Sequence, residues 1–484
     1  MTPEVPSAAV HHQASEDQQS YRWPVVSKSQ AGVLISVIAG VAACTCIALQ
    51  APGQVSMDTS VQLYEASIGQ SISYNPPFMS ALMRWLGGGS VATSLLVLIN
   101  AVLLYGSFAL TAVSVGNMGQ DQGRDHLPYW RIILAIVIVL NPIIFLYAGI
   151  VWKDVLFASL LTSGCALTLA ASTGGIYKRY ACALGAIAVL AAGMITRQQG
   201  IFMVPCILLA VIVALWPSNS RNQKFYVIAG VIAAFLVSVT VLQKRVDAAI
   251  KPPVKVATSV GFRNLMIFDL AGMVSDSDRQ ASDYAFPISP EQLTAIRQIY
   301  TPERVDTLDR TPFTQAWVGR LPNSELSDAW WAMLKQNPGA YAEHRLSAFG
   351  KLIGLYGLEG TLPIHIGVEG NPSYLKQVGI GEGRDQRSQL IYDIAVQYFT
   401  WPIYRHFFWL GALVLAVVIG VYARLPRRLL LISALIAAAT ALMYASYLPT
   451  AIAADFRYLF GAIPLVMMLF MVLLMGGRIT YWKR

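Results

Sequence analysis

The sequence predicts an all-α polytopic membrane protein: about ten transmembrane helices, with a large, mainly helical extracytoplasmic domain inserted before the last three. Three observations carry that prediction. The 484 residues are 55% hydrophobic and only 13% charged, about half the charge fraction of an average soluble chain. Apolar runs that read as membrane-crossing helices recur at roughly 30–50, 91–116, 131–150, 155–176, 181–196, 201–216, 225–242, 406–423, 429–447 and 458–477. A single long polar segment, 243–405, interrupts them.

Residues 1–28 form a polar tail expected to be disordered and cytoplasmic, and His11–His12 within it is expected to be solvated. The first apolar run starts late and lacks a small-residue cleavage site behind it, which predicts an uncleaved span and not a signal peptide. Residues 29–242 then form a transmembrane module whose first outer loop covers 51–90, and residues 406–484 supply the closing helices. All five cysteines (Cys44, Cys46, Cys165, Cys182, Cys206) fall in expected spans. They read as buried small hydrophobes and not as a disulfide framework or metal site.

Charge sets the orientation. With the N-terminus inside, the inner segments hold Arg22, Lys28, Arg124, Arg131, Lys178, Arg179, Arg221, Lys224, Arg424, Arg427, Arg428, Arg478, Lys483 and Arg484. The short outer segments hold only Arg84, Lys153, Arg197 and Arg457. This bias predicts a multi-pass protein of the cytoplasmic (inner) membrane with both termini cytoplasmic. Segment 243–405 then lies outside; its 17 basic and 17 acidic residues cancel. The net charge of +9 comes entirely from the rest of the chain, so it reports topology and offers no argument for nucleic-acid binding.

Outside the long segment, the outer face carries few charges: Asp58, Glu65, Arg84, Lys153–Asp154, Arg197, Asp455 and Arg457. Charges at that depth cost free energy unless they face a cavity or each other. Interfacial anchoring is the competing reading, with the basic side chains snorkelling and Trp85 and Trp152 in the aromatic belt. The first outer loop predicts two short surface helices. "SVQLYEASIG" is ended by Gly69; "PPFMSALMRWLGGG" is opened by proline, turns Phe78, Leu82, Met83 and Trp85 to lipid, and is ended by glycines.

Asp58 stands early in the first outer loop, the two helices follow it, and the second opens within "YNPPFMSALM". Further short motifs are "WKD" at 152–154, "RQQG" at 197–200, "DFRYLFGAIP" at 455–464 and "NPGAYAEHRLSAFGKLIGLYG" at 337–357. In these features the chain resembles the GT-C superfamily of polytopic glycosyltransferases, bacterial members above all, with Asn75 in place of a frequent histidine. The resemblance implies transfer of a sugar from a polyprenyl phosphate to a glycan, lipid or protein acceptor on the outer side. Such transfer needs a base for the acceptor hydroxyl and positive charge for the departing phosphate. The resemblance gives Asp58 the first role and Lys153, Arg197 and Arg457 the second, with Glu65, Asn75, Arg84, Asp154, Gln198, Asp455 and Tyr458 in support. No metal site is expected, although a divalent cation on Asp58 or Asp154 stays open.

In the large segment, Ala342, Leu346, Phe349, Ile353 and Tyr356 share one helical face, with His344, Ser347 and Lys351 roughly opposite. That pattern suits a helix lying on the membrane with Arg345 at its boundary, and equally one packed on the domain's own core. His344, Arg345 and His365 are the acceptor-binding candidates, with Glu369 beside the last. Asp276-x-Asp278 reads as a solvated turn. The alternatives are a polysaccharide polymerase or ligase using lipid-linked sugars, and a lipid or solute transporter. Transporters place ionisable groups near the midplane, whereas the span interiors here are almost free of charge.

Overall fold

The computed structural model describes residues 24–117, 126–217, 221–252, 260–275, 279–309, 311–358, 361 and 363–477. Most of the N-terminal tail, with His11, His12 and Arg22, lies outside the described residues, as do Arg124, Asp276, Asp278, Arg478, Lys483 and Arg484.

The transmembrane part opens with α1 (Lys28–Gln50), α2 (Met57–Ile68), α3 (Phe78–Trp85), α4 (Gly89–Asn117), α5 (Tyr129–Val139), α6 (Pro142–Ala148) and α7 (Lys153–Ala171). It continues through α8 (Ile176–Thr196), α9 (Gly200–Leu215) and α10 (Arg221–Ala249). The inserted domain holds α11 (Val260–Ser275), α12 (Pro290–Ile299), α13 (Asp306–Asp309), α14 (Pro312–Thr314), α15 (Asn323–Gln336), α16 (Pro338–Leu352), α17 (Pro372–Val378) and α18 (Gln386–Gln397). The chain closes with α19 (His406–Tyr422), α20 (Arg427–Tyr447) and α21 (Ala462–Gly476).

Among the described residues, seven helices are long and apolar enough to cross a membrane, counting α5 and α6 as one. The other three expected spans are the shorter apolar helices α9, α19 and α21, of 16, 17 and 15 residues. The chain is a multi-pass membrane protein. The third span is broken where Pro142 removes a helical donor, and the Asn141 side chain caps the new start by accepting from the Ile143 N–H at 3.0 Å. The seventh span, α10, runs on past the expected boundary at 242 to Ala249, because no breaker precedes Pro252–Pro253.

Helix α7 lies at the centre and is almost wholly buried, while α10 at the periphery is almost bare. An apolar helix this bare is suited to lipid contact. At the end of the bundle opposite the inserted domain, basic side chains terminate helices. Arg131 donates to the Gly477 carbonyl at 2.6 Å, and Arg179 and Arg428 donate to the carbonyls of Ala214 and Trp216 at 2.8 and 2.9 Å. Loose carbonyls at helix C-termini attract such cations. A short antiparallel pair, Val25–Ser27 with His126–Pro128, closes the same end.

The inserted domain from α11 to α16 packs around α11, whose Phe268, Leu270 and Val274 are fully buried against Ile296, Leu326 and Met333, whereas α17 and α18 bury Leu375, Ile391 and Ala395 against the bundle. Two of its strips are laced to the bundle by backbone hydrogen bonds. Residues 303–305 pair with 452–454 (Val305 N–H to Ile452 O, 2.9 Å; Ala454 N–H to Glu303 O, 2.7 Å). Residues 367–369 pair with Val55 (Val55 N–H to Gly367 O, 2.9 Å; Glu369 N–H to Val55 O, 2.8 Å). Both strips therefore approach the segments that precede Asp58 and Arg457.

Candidate functional site

Asp58 is the second residue of α2, in the first helical turn, where the helix dipole favours a carboxylate. The helix is pinned by Thr59 Oγ1, which donates to the Val151 carbonyl at 2.6 Å, and it ends at Gly69, where φ is +70°. Opposite Asp58 stands Arg457, in a short 3₁₀ turn just before α21. Its Nη1 lies 2.8 Å from Asp58 Oδ2 and its Nη2 lies 3.4 Å from Asp455 Oδ2. The guanidinium rests over the Trp152 ring, 4.8 Å from its centroid. Trp152 is itself fixed by donating from Nε1 to Ser56 Oγ at 2.7 Å.

Burial pushes the Asp58 carboxyl upward, but the charges of Arg457 and Lys153, with the Arg457 hydrogen bond, outweigh it and hold the group below the usual carboxylate range. For Arg457 the balance runs the same way, toward the charged form. Burial disfavours its charge, and Asp58, Tyr458 and Asp455 more than restore it. The Asp58 side chain is still 41% exposed and that of Arg457 16%, so the ion pair can be reached from outside the fold.

The next residues form a layer beneath. Lys153, the first residue of α7, donates to Asn75 Oδ1. The Asn75 N–H donates to Ser73 Oγ at 3.3 Å, and Ser73 is held in turn by Glu65, a buried carboxylate that accepts from the N–H groups of Ile72 and Ser73 at 2.8 Å each and from Ser80 Oγ at 2.6 Å. Glu65 is thus the keystone of the loop between α2 and α3. Asp154 and Arg197 form a buried ion pair. Arg197 further donates to Tyr447 Oη, to Gln199 Oε1 at 3.0 Å and to the Tyr458 carbonyl at 3.4 Å. Its guanidinium also faces the Tyr447 and Tyr458 rings.

Several expected residues stand elsewhere. Arg84 donates to the Ala66 and Ser67 carbonyls at 2.7 and 3.4 Å, closing the C-terminus of α2. Gln198 is exposed, and its neighbour Gln199 makes the contact with Arg197. Phe78 and Met83 are buried, not turned to lipid, while Trp85 is exposed.

The helix at 338–352 buries part of its polar side and leaves part of its apolar face exposed. Ala342, Leu346 and Tyr356 are exposed, Phe349 is half-buried and Ile353 buried, while His344 and Arg345 are sealed in the domain core on Asp269. There Tyr300 Oη lies 2.6 Å from His344 Nδ1, and Trp330 Nε1 donates to Asp269 at 2.8 Å. Burial depresses the His344 imidazole below its usual range, with Asp269 pulling the other way. A fully buried carboxylate requires such partners, and both side chains serve Asp269 in that way.

His365 is close to the site. Its Nε2 lies 2.9 Å from the Val55 carbonyl and its ring 5.9 Å from that of Trp152. With Glu369, Arg384, Tyr392 and Phe399 it lines a cavity of about 380 Å³. Burial holds its imidazole below the ordinary value, against the pull of the Val55 carbonyl and Glu369.

The inserted domain adds Arg304, which sequence reasoning missed. Its Nη2 lies 3.1 Å from Asp455 Oδ1, so Asp455 is shared by two arginines. No local signal marks Arg304 among the basic residues of its segment; the 303–305 strip brings it in. Among the described residues, no three His, Cys, Asp or Glu side chains gather in a metal-holding group.

Fold and site together define a multi-pass helical membrane protein with a cluster of paired carboxylates and cations at the domain-bearing end of its bundle. No protein-family model matches the chain, and no curated protein does. Among solved structures the chain is similar to ArnT from Cupriavidus metallidurans in the apo state, at 12% identity over 93% of this chain and 78% of that one. The TM-score of 0.32 is too low for that likeness to carry an argument here.

Proposed function

We propose that this protein is a glycosyltransferase of the cytoplasmic membrane. It moves a sugar from a polyprenyl-phosphate donor to a glycan, lipid or protein acceptor at the extracytoplasmic face. The observation that carries the reading is the accessible Asp58–Arg457 pair, backed by Lys153 at the mouth of α7.

In this reading the acceptor hydroxyl gives its proton to Asp58 as its oxygen bonds to the anomeric carbon. The bond from that carbon to the phosphate oxygen breaks, and polyprenyl phosphate departs with the electron pair. Arg457 and Lys153 supply the positive charge that stabilises it. A phosphate entering beside Arg457 competes for the guanidinium that holds Asp58. Donor binding would therefore release the carboxylate and raise its basicity when the base is needed. Arg197 and Asp154 act one layer back, with Arg197 fixing the Tyr458 backbone and, through it, the turn that carries Arg457. The cavity beside His365 and Glu369 is the acceptor's approach, because its 367–369 wall is hydrogen-bonded to the segment that leads into α2.

The test is a purified, reconstituted protein offered a polyprenyl-phosphate sugar or a nucleotide-sugar, with a crude envelope extract as acceptor. Transfer from the lipid-linked donor, lost in Asp58→Asn, is the expected result. Transfer from the nucleotide-sugar in the absence of any carrier lipid overturns the reading.

A further inference from the structure

One amide beside the site has a donor that the fold leaves unused. Gln62 is 1% exposed, and its Nε2 is buried without a hydrogen-bond partner among the described residues. Most buried amides are paired, because leaving one unpaired costs its full desolvation penalty. Leucine or methionine would fill the same space at no such cost.

The position of Gln62 says where its partner would come from. Asp58, Gln62 and Glu65 follow at spacings of four and three, so they lie on one face of α2. Asp58 ends that row against Arg457, and Glu65 ends it against the 71–75 loop. Lys153, bonded to Asn75, lies within electrostatic reach of both carboxylates. Gln62 thus stands between the two carboxylates on that face of α2, one helical turn beyond Asp58. The other ends of this cluster are satisfied: Glu65 by four groups of the loop and Ser80, Asn75 by Lys153.

We propose that Gln62 is a substrate-binding residue whose side-chain amide donates to an oxygen of the glycosyl phosphate donor. This rests on the glycosyltransferase reading above. The shared chemistry is a hydrogen-bond acceptor oxygen, which can belong to the phosphate or to a hydroxyl of the sugar. A neutral donor there adds no charge to a row that already holds Lys153 and Arg457. It therefore contributes direction and discrimination more than electrostatic pull.

The experiment compares the full-length wild type with Gln62→Leu and Gln62→Met in lipid nanodiscs. It measures thermal unfolding, and affinity for sugar-free polyprenyl phosphate and for the glycosylated carrier. Both variants remove an unpaired buried amide, so their unfolding temperatures should equal or exceed that of the wild type. Affinity for the glycosylated carrier should nevertheless fall roughly three- to tenfold, the worth of one hydrogen bond.

An equal fall with sugar-free polyprenyl phosphate assigns the contact to the phosphate, and a fall confined to the glycosylated carrier assigns it to the sugar. Wild-type affinity for both lipids in two folded variants overturns the proposal while leaving the glycosyltransferase reading intact. A marked loss of unfolding temperature in both overturns it too, by showing that the amide serves the fold. A wild type that binds neither lipid removes the reading and the proposal together.

Discussion

Arg457 Nη1 lies 2.8 Å from Asp58 Oδ2, so the proposed base and the proposed phosphate-binding cation neutralise each other in the free protein. The pair is seated on the Trp152 ring and flanked by Asp455, which also holds Arg304 from the inserted domain. A site organised this way is poised without substrate, since each charge has a partner that a phosphate or a hydroxyl can replace.

Asp58→Asn should abolish transfer while the protein stays folded. Asparagine keeps the shape but cannot take the acceptor proton, and loss of a general base typically costs 10²- to 10⁴-fold. Turnover with saturating donor checks this. An Asp58→Asn protein retaining half the wild-type rate would remove the residue from the mechanism.

The pH profile should carry the mark of the pair. Because its value is held below the usual range, Asp58 is ionised throughout the neutral region. The acid limb of kcat/KM, which reports the free enzyme, should lie below the ordinary carboxylate value of about 4. For stability the sign is that of a depressed carboxylate. The contribution is complete above the unfolded-state value and is lost as pH falls through the folded one. Arg457→Gln removes the main neighbouring charge, so the acid limb should move upward as the rate falls. A limb at the same pH in both proteins would show that Arg457 does not hold Asp58.

The Asp154–Arg197 pair should behave as a buried salt bridge. Both side chains are under a tenth exposed, so removing one partner strands a charge and costs about 3–5 kcal/mol. Asp154→Asn should therefore lower the unfolding temperature. Asp154→Leu combined with Arg197→Met should recover much of the loss, because no charge is left without a partner. Arg197→Lys keeps the charge but loses the fork that reaches Tyr447 and Gln199 at once; its activity should fall. An unfolding temperature unchanged in Asp154→Asn would contradict the burial.

Orientation is testable in cells. On a background without native cysteines, a cysteine at Gln386 should react with a membrane-impermeant thiol reagent in intact cells, and one at Tyr177 should not. Both positions are exposed. The reverse pattern would put Asp58 and Arg457 on the cytoplasmic side.

What the sequence by itself determined is what local composition decides. Apolar runs mark helices because a backbone in hydrocarbon must satisfy its own hydrogen bonds. Gly69 marks the end of α2 because the chain there needs a positive φ. Charged residues at span ends stood out as site candidates because burial there is expensive. Asp58, Lys153, Arg197 and Arg457 were found that way.

Their pairing was decided only by tertiary structure. Asp58 and Arg457 belong to opposite ends of the chain, and no periodicity within either segment encodes their contact. Arg304 was one basic residue among 17 in a neutral segment until the 303–305 strip carried it to Asp455. Helical spacing placed His344 and Arg345 on a face, but Asp269, far off in sequence, made that face the buried one. Gln62 was silent for the same reason: an amide reads as ordinary polarity until its surroundings leave it without a partner. Composition sets the cost of burying a group, and only the packed chain supplies, or withholds, what offsets it.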